Sequence, residues 1–76
     1  MSNETLIQML TKALNLLDVA YKYFENYEDN RDEWYFNESC IIENRAQGIL
    51  DAYEILTGKH IKCNHFGVRR ELSNLS

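Results

Sequence analysis

The chain reads as an all-α domain, an antiparallel helical hairpin of two long amphipathic helices plus a short C-terminal helix or tail. Three observations predict this. Apolar residues recur with helical period through most of the length, proline is absent, and the three glycines fall only at positions 48, 58 and 67. Nothing therefore breaks a helix before Gly48, and two of the three glycines follow the main periodic segments.

The first helix is expected over about residues 3–27. Ser2 or Asn3 can cap it by accepting from free N–H groups of the first turn, and Glu4 suits the positive end of its dipole. Leu6, Leu10, Ala13, Leu17, Ala20, Phe24 and Tyr27 alternate spacings of four and three, a continuous heptad stripe. Ile7, Leu14 and Tyr21 flank it on one side, Met9, Leu16 and Tyr23 on the other. The remaining positions are polar except Val19. The apolar face is thus about four positions wide per heptad, broader than one partner helix covers.

Residues 28–32, Glu-Asp-Asn-Arg-Asp, form a linker, with Asn30 and Glu33 spaced as a capping pair. So short a connection makes the helices antiparallel neighbours. The second helix, over about 31–57, carries the stripe Tyr35, Ser39, Ile42, Ala46, Ile49, Tyr53 and Leu56. A second row, Trp34, Ile41, Gly48 and Ile55, runs well round the cylinder from it, with Glu38, Arg45 and Ala52 between the rows. A helix with two apolar faces wants two neighbours. Gly48 costs the helix roughly 1 kcal/mol against alanine but lets a neighbouring backbone approach. Thr57-Gly58-Lys59 stops the helix, glycine taking the left-handed position and Lys59 and His60 complementing the negative end. Beyond it, Val68, Leu72 and Leu75 have helical spacing, so a third helix of two turns after Gly67 is expected; a piece that short must dock to be stable.

At 76 residues there is one domain, the hairpin at 1–58 and a basic tail or short helix at 59–76. A chain this small buries only about 60% of its unfolded surface, and such domains often gain stability from a partner subunit. With 45% hydrophobic residues it is too apolar for disorder. The expected outcome is a helical bundle completed by oligomerisation as a homodimer or tetramer. Two cysteines, Cys40 and Cys63, are too few for a secreted disulfide framework. No signal peptide or membrane span is readable, so a cytoplasmic location without membrane contact is expected.

The net charge of −4 is unevenly placed: −5 over residues 1–38, −2 over 39–58 and +3 over 59–76. Nucleic-acid binding usually shows a continuous basic face; here there is only the tail cluster Lys59, Lys62, Arg69 and Arg70, able to reach a few phosphates weakly. A helix-turn-helix fails on spacing. His60, Cys63 and His65 offer three zinc-ligand types in six residues, but zinc wants four and the spacing matches no standard finger, so no metal or other cofactor is expected. Arg45 lies among Ile41, Ile42 and Ile49, where an arginine packs its stem and can present its guanidinium to a carboxylate or phosphate. Glu38, two turns earlier on the same face, can pair with an arginine of a second subunit. Tyr21, Tyr23, Tyr27, Trp34 and Tyr35 gather at the linker end, apart from Tyr53; such residues favour interfaces, stack bases, or simply finish the core.

No catalytic triad, phosphate loop or pocket-forming fold is present, so an enzyme is not expected. The residues carry no resemblance to a known family. The segment 45–59 and the richness in Asn, Ile, Lys and Tyr have the texture of small accessory proteins of phages and mobile elements, a likeness that carries no functional residue. The functional expectation is a non-enzymatic interaction module that self-associates and binds a partner protein as inhibitor, adaptor or regulator. Its interface would include Tyr23, Tyr27, Trp34, Glu38, Ile41, Arg45, Gly48 and Ile55. The alternatives are an oligomeric bundle binding a nucleotide or other anionic ligand at Arg45 and the tyrosines and, further off, a small DNA-binding regulator.

Overall fold

In the computed structural model, which describes residues 2–76, the chain forms three helices: Asn3–Asn30 (α1), Glu33–Thr57 (α2) and His65–Leu75 (α3). Ser2 caps α1, its hydroxyl accepting from the Thr5 N–H at 3.3 Å. α1 runs on to Asn30, beyond the expected end, and closes on Arg31 in the left-handed region (φ 57°), whose N–H donates to the Tyr27 carbonyl at 2.7 Å. That conformation is uncommon for a residue with a side chain. The Arg31 guanidinium, 5.7 Å from the Tyr27 ring centroid, offsets part of the cost.

The connection is therefore only Arg31 and Asp32, shorter than the expected 28–32. Asp32 caps α2 through its Oδ1, which accepts from the Trp34 N–H at 3.0 Å. The expected Asn30–Glu33 pair does not form. Asn30 is still helical, and its amide donates back to the Asn26 carbonyl at 3.1 Å, so it cannot take the extended backbone a cap needs. Gly58 ends α2 as the sequence indicates, left-handed at φ 74° with its N–H on the Glu54 carbonyl at 2.7 Å.

The two long helices pack against each other along Leu6, Leu10, Ala13, Leu17 and Ala20 of α1. The expected stripe stops there, because Phe24 and Tyr27 lie beyond the region that α3 helps to close and are only partly covered. On α2 the buried set is Ser39, Ala46, Leu50 and Tyr53. This corrects the heptad reading at one place: Leu56 is 50% exposed, while Leu50 is 1% exposed. A straight α-helix drifts about 20° per heptad away from a strict seven-residue stripe. Leu50, one heptad after Glu43, also lies on the side over which the 58–64 connection closes, where the Cys63 thiol approaches the Glu43 carbonyl.

α3 starts at His65, two residues before the glycine expected to precede it. Asn64 caps it, accepting from the Gly67 N–H at 2.7 Å. A Cβ on Gly67 would stand 2.7 Å from the Lys62 carbonyl oxygen, so the turn into α3 requires glycine here. Fully buried Val68, with Leu72 and Leu75 partly covered, joins α3 to the core, and Ile61 plugs the connection. α3 packs on α1, over the flank that carries Leu14, Asp18 and Tyr21. α2 thus covers the central stripe of the broad α1 face and α3 one of its flanks. The body measures 42 × 20 × 16 Å, and its radius of gyration of 13.4 Å exceeds the roughly 11 Å of a compact domain this long.

Candidate functional site

Two features stand out: a buried polar knot under α3, and an uncovered apolar face on the opposite side of the hairpin. The knot centres on Glu71, 5% exposed. Its Oε2 accepts from the Tyr53 hydroxyl at 2.5 Å and lies 3.3 Å from the Lys59 ammonium, and its Oε1 accepts from Asn74 at 3.4 Å. Burial opposes ionisation of Glu71, but the hydrogen bonds from Tyr53, Asn74 and Lys59 and the Lys59 charge outweigh it, holding the carboxyl below its ordinary pKa. Burial first, and the Glu71 carboxylate second, push the Tyr53 hydroxyl well above its ordinary value. Every buried side-chain polar atom among the described residues has a partner. A satisfied, buried carboxylate of this kind helps fix α3 in place. Sequence reading missed Glu71. The available signal was a lone acid among the basic residues of the tail, on the face that carries Val68, Leu72 and Leu75.

A second tie joins α3 to α1. His65 Nε2 lies 2.6 Å from Asp18 Oδ1, and the His65 ring meets Tyr21 edge-on at 6.3 Å. His60 Nδ1 sits 2.9 Å from Glu54 Oε1, and Cys63 turns toward the Glu43 carbonyl. The three residues with zinc-ligand chemistry thus face three different partners, and no group of three metal-ligating side chains comes together among the described residues. Burial, with Glu43 and Asp51 nearby, raises the Cys63 pKa, which disfavours the thiolate a metal needs.

Among the described residues, no third helix covers the opposite side of the hairpin. Trp34, Ile41 and Ile55 are 54%, 54% and 85% exposed, and Gly48 and Ala52 between them are open to solvent. Beside this row a groove of ≈ 470 Å³ runs between the helices, lined by Met9, Lys12 and Leu16 of α1 and Arg45, Gly48, Ile49 and Ala52 of α2. Arg45 is exposed at its rim and Glu38 is half-buried; neither makes an ion pair among the described residues. The expected interface residues Trp34, Glu38, Ile41, Arg45, Gly48 and Ile55 therefore share one side of α2.

Tyr23 and Tyr27 stand elsewhere, at the hairpin end. Tyr23 packs with Trp34 and Tyr35 at 5.8 and 6.2 Å, and Tyr27 with Phe24 and Phe36 at 6.1 and 5.2 Å. Within one chain these rings are not beside Arg45: ten residues of helix between Tyr35 and Arg45 span about 15 Å. In the tail, Lys59 is engaged by Glu71, while Lys62, Arg69 and Arg70 are exposed. Lys59, Lys62 and Arg70 border a cleft of ≈ 760 Å³ that also contains Glu71, so it is not uniformly basic. Among the described residues no helix is long and apolar enough to cross a membrane.

The chain matches no protein family, no curated protein and no solved structure, so its function has to be argued from its own residues.

Proposed function

We propose that this chain is a non-enzymatic interaction module that self-associates through the uncovered face of its hairpin and presents its aromatic end to a partner protein as an inhibitor, adaptor or regulator. The observation that carries the reading is the row Trp34, Ile41, Ile55, three large apolar side chains each at least half exposed on one side of α2. Three large apolar side chains left in water along one side of a single helix of so small a body suit an interaction site. Self-association covers Trp34 and Ile41 of the row and adds a neighbour on the side that α3 leaves open. Phe24 and Phe36 at the hairpin end supply rigid aromatic anchors of the type that dominate binding energy. The acidic body, −7 over residues 1–58, suits a basic partner surface. An accessory role of this kind accords with the phage and mobile-element texture of the sequence.

Size-exclusion chromatography with light scattering tests the reading. The expected result is a dimer or larger assembly at tens of micromolar, lost on Ile41→Asp. A well-folded, strictly monomeric species overturns it. A second reading has one specific observation behind it: Lys12 and Arg45 stand at the rim of an otherwise apolar groove, an arrangement that suits an anionic ligand such as a nucleotide. A native-state ligand raises the melting temperature with concentration. A nucleotide panel that produces no such rise removes this alternative.

A further inference from the structure

We infer that the occupant of the open face is a second copy of this chain, docked with its α2 antiparallel to the first about a two-fold axis beside Ile41, so that Glu38 of each copy meets Arg45 of the other. This rests on the self-association reading and adds its orientation and register.

Charge carries the orientation. Glu38 and Arg45 lie one heptad apart on the same side of α2, and neither has an ionic partner among the described residues of its own chain. In a two-fold contact, if residue i meets j then j meets i. A parallel two-fold pairing would set Glu38 against Glu38 and Arg45 against Arg45, two like-charge contacts. The antiparallel pairing sets each acid against a base, twice.

The register follows from that pair. The midpoint between positions 38 and 45 falls between Ile41 and Ile42, so the exposed Ile41 side chain packs near its own copy across the axis. Trp34 then falls opposite the Gly48–Ile49 turn of the second copy. Gly48 leaves a notch there: a Cβ added to it would meet nothing within 4 Å. The apolar groove beside Gly48 thus receives a large side chain from the other copy. In this register each α2 overlaps its copy over residues 33–50, about 27 Å of helix, and Ile55 lies past the end of the contact.

The test is site-specific crosslinking of the full chain in a Cys40→Ser, Cys63→Ser background, with dimer formation followed by light scattering. Ile41→Cys should be bridged efficiently by a short bis-maleimide. Ile55→Cys should not, because its two copies would lie about 40 Å apart along the antiparallel helices. Bridging at both positions means a parallel pair and overturns the inference while leaving self-association standing. A dimer bridged at neither position places the contact on another face and overturns it too. A monomer in light scattering defeats the proposed function itself. As an independent check, Glu38→Arg and Arg45→Glu should each weaken dimerisation by roughly tenfold or more, and the double exchange should restore it. Singles without effect, or a double that stays as weak as the singles with unchanged circular dichroism, rule out the pairing.

Discussion

On one side of the hairpin an eleven-residue helix closes over the core, seated by Val68 and tied down by Glu71 and His65; on the other side the same two helices leave Ile41 and Ile55 in water. The closed side contains the only buried carboxylate among the described residues, and that group is satisfied within the chain. The open side holds an acid and a base with no ionic partner among the described residues, next to bare apolar surface. The difference teaches that α1 gains two helix neighbours, α2 and α3, whereas α2, apolar on two sides, packs along its length only on α1. What remains uncovered is matched in charge to another copy.

If the closed side is held by its polar knot, breaking that knot should produce the largest change. Glu71→Ala strands the buried Tyr53 hydroxyl and is expected to cost about 2–3 kcal/mol in chemical denaturation. A cost within experimental error would mean α3 is held by Val68 and its apolar neighbours alone.

Acid should reach the same knot more gently. Folding lowers the Glu71 pKa, so the unfolded chain takes up this proton more readily than the folded one. Its contribution is fully present above the ordinary value of 4.5 and is lost as pH falls through the folded pKa. Melting temperature should therefore drop on acidification, and Glu71→Gln should show a shallower drop over the same range.

The glycine at the foot of α3 comes next. Gly67→Ala forces a Cβ against the Lys62 carbonyl and is expected to destabilise by about 1–2 kcal/mol, at the low end of overpacking costs. Retained stability would show that the 58–64 connection can yield. The His65–Asp18 tie is more exposed, so Asp18→Ala should cost under about 1 kcal/mol and mainly speed hydrogen exchange in α3. The smallest effect belongs to the open side. Ile55→Ser, at an 85% exposed position past the overlap of the two α2 helices, should change the stability of the isolated chain by no more than about 0.5 kcal/mol and leave dimerisation unchanged. A large loss of monomer stability would mean that the two faces do not differ as described.

Much of this contrast was legible in the residues. Leu6 to Ala20 announce their face by alternating spacings, because a helix returns to the same side every three to four positions and only apolar side chains gain by burial there. The row Trp34, Ile41, Gly48, Ile55 was legible in the same way, and so was the Gly58 stop. Glu71 was not: a local pattern assigns an acid to solvent, and only the arrival of Tyr53 from eighteen residues away and of Lys59 makes its burial tolerable. Likewise His60, Cys63 and His65 look alike as neighbours in the chain, yet each turns to a different part of the body. Short-range spacing carries no information about such long-range partners.

The sequence by itself determined the helices, their caps at Ser2 and Gly58, the antiparallel hairpin and the surplus of apolar faces, because these depend on backbone sterics and on periodicities within a few turns. Tertiary structure decided which face was closed. Gly67 lets the chain turn tightly past Lys62 into α3, and Tyr53, Asp18 and Lys59 wait on one flank to receive Glu71 and His65, so α3 docks there and the Ile41 side stays open. That choice depends on groups meeting across the fold, whose desolvation and pairing no local pattern contains.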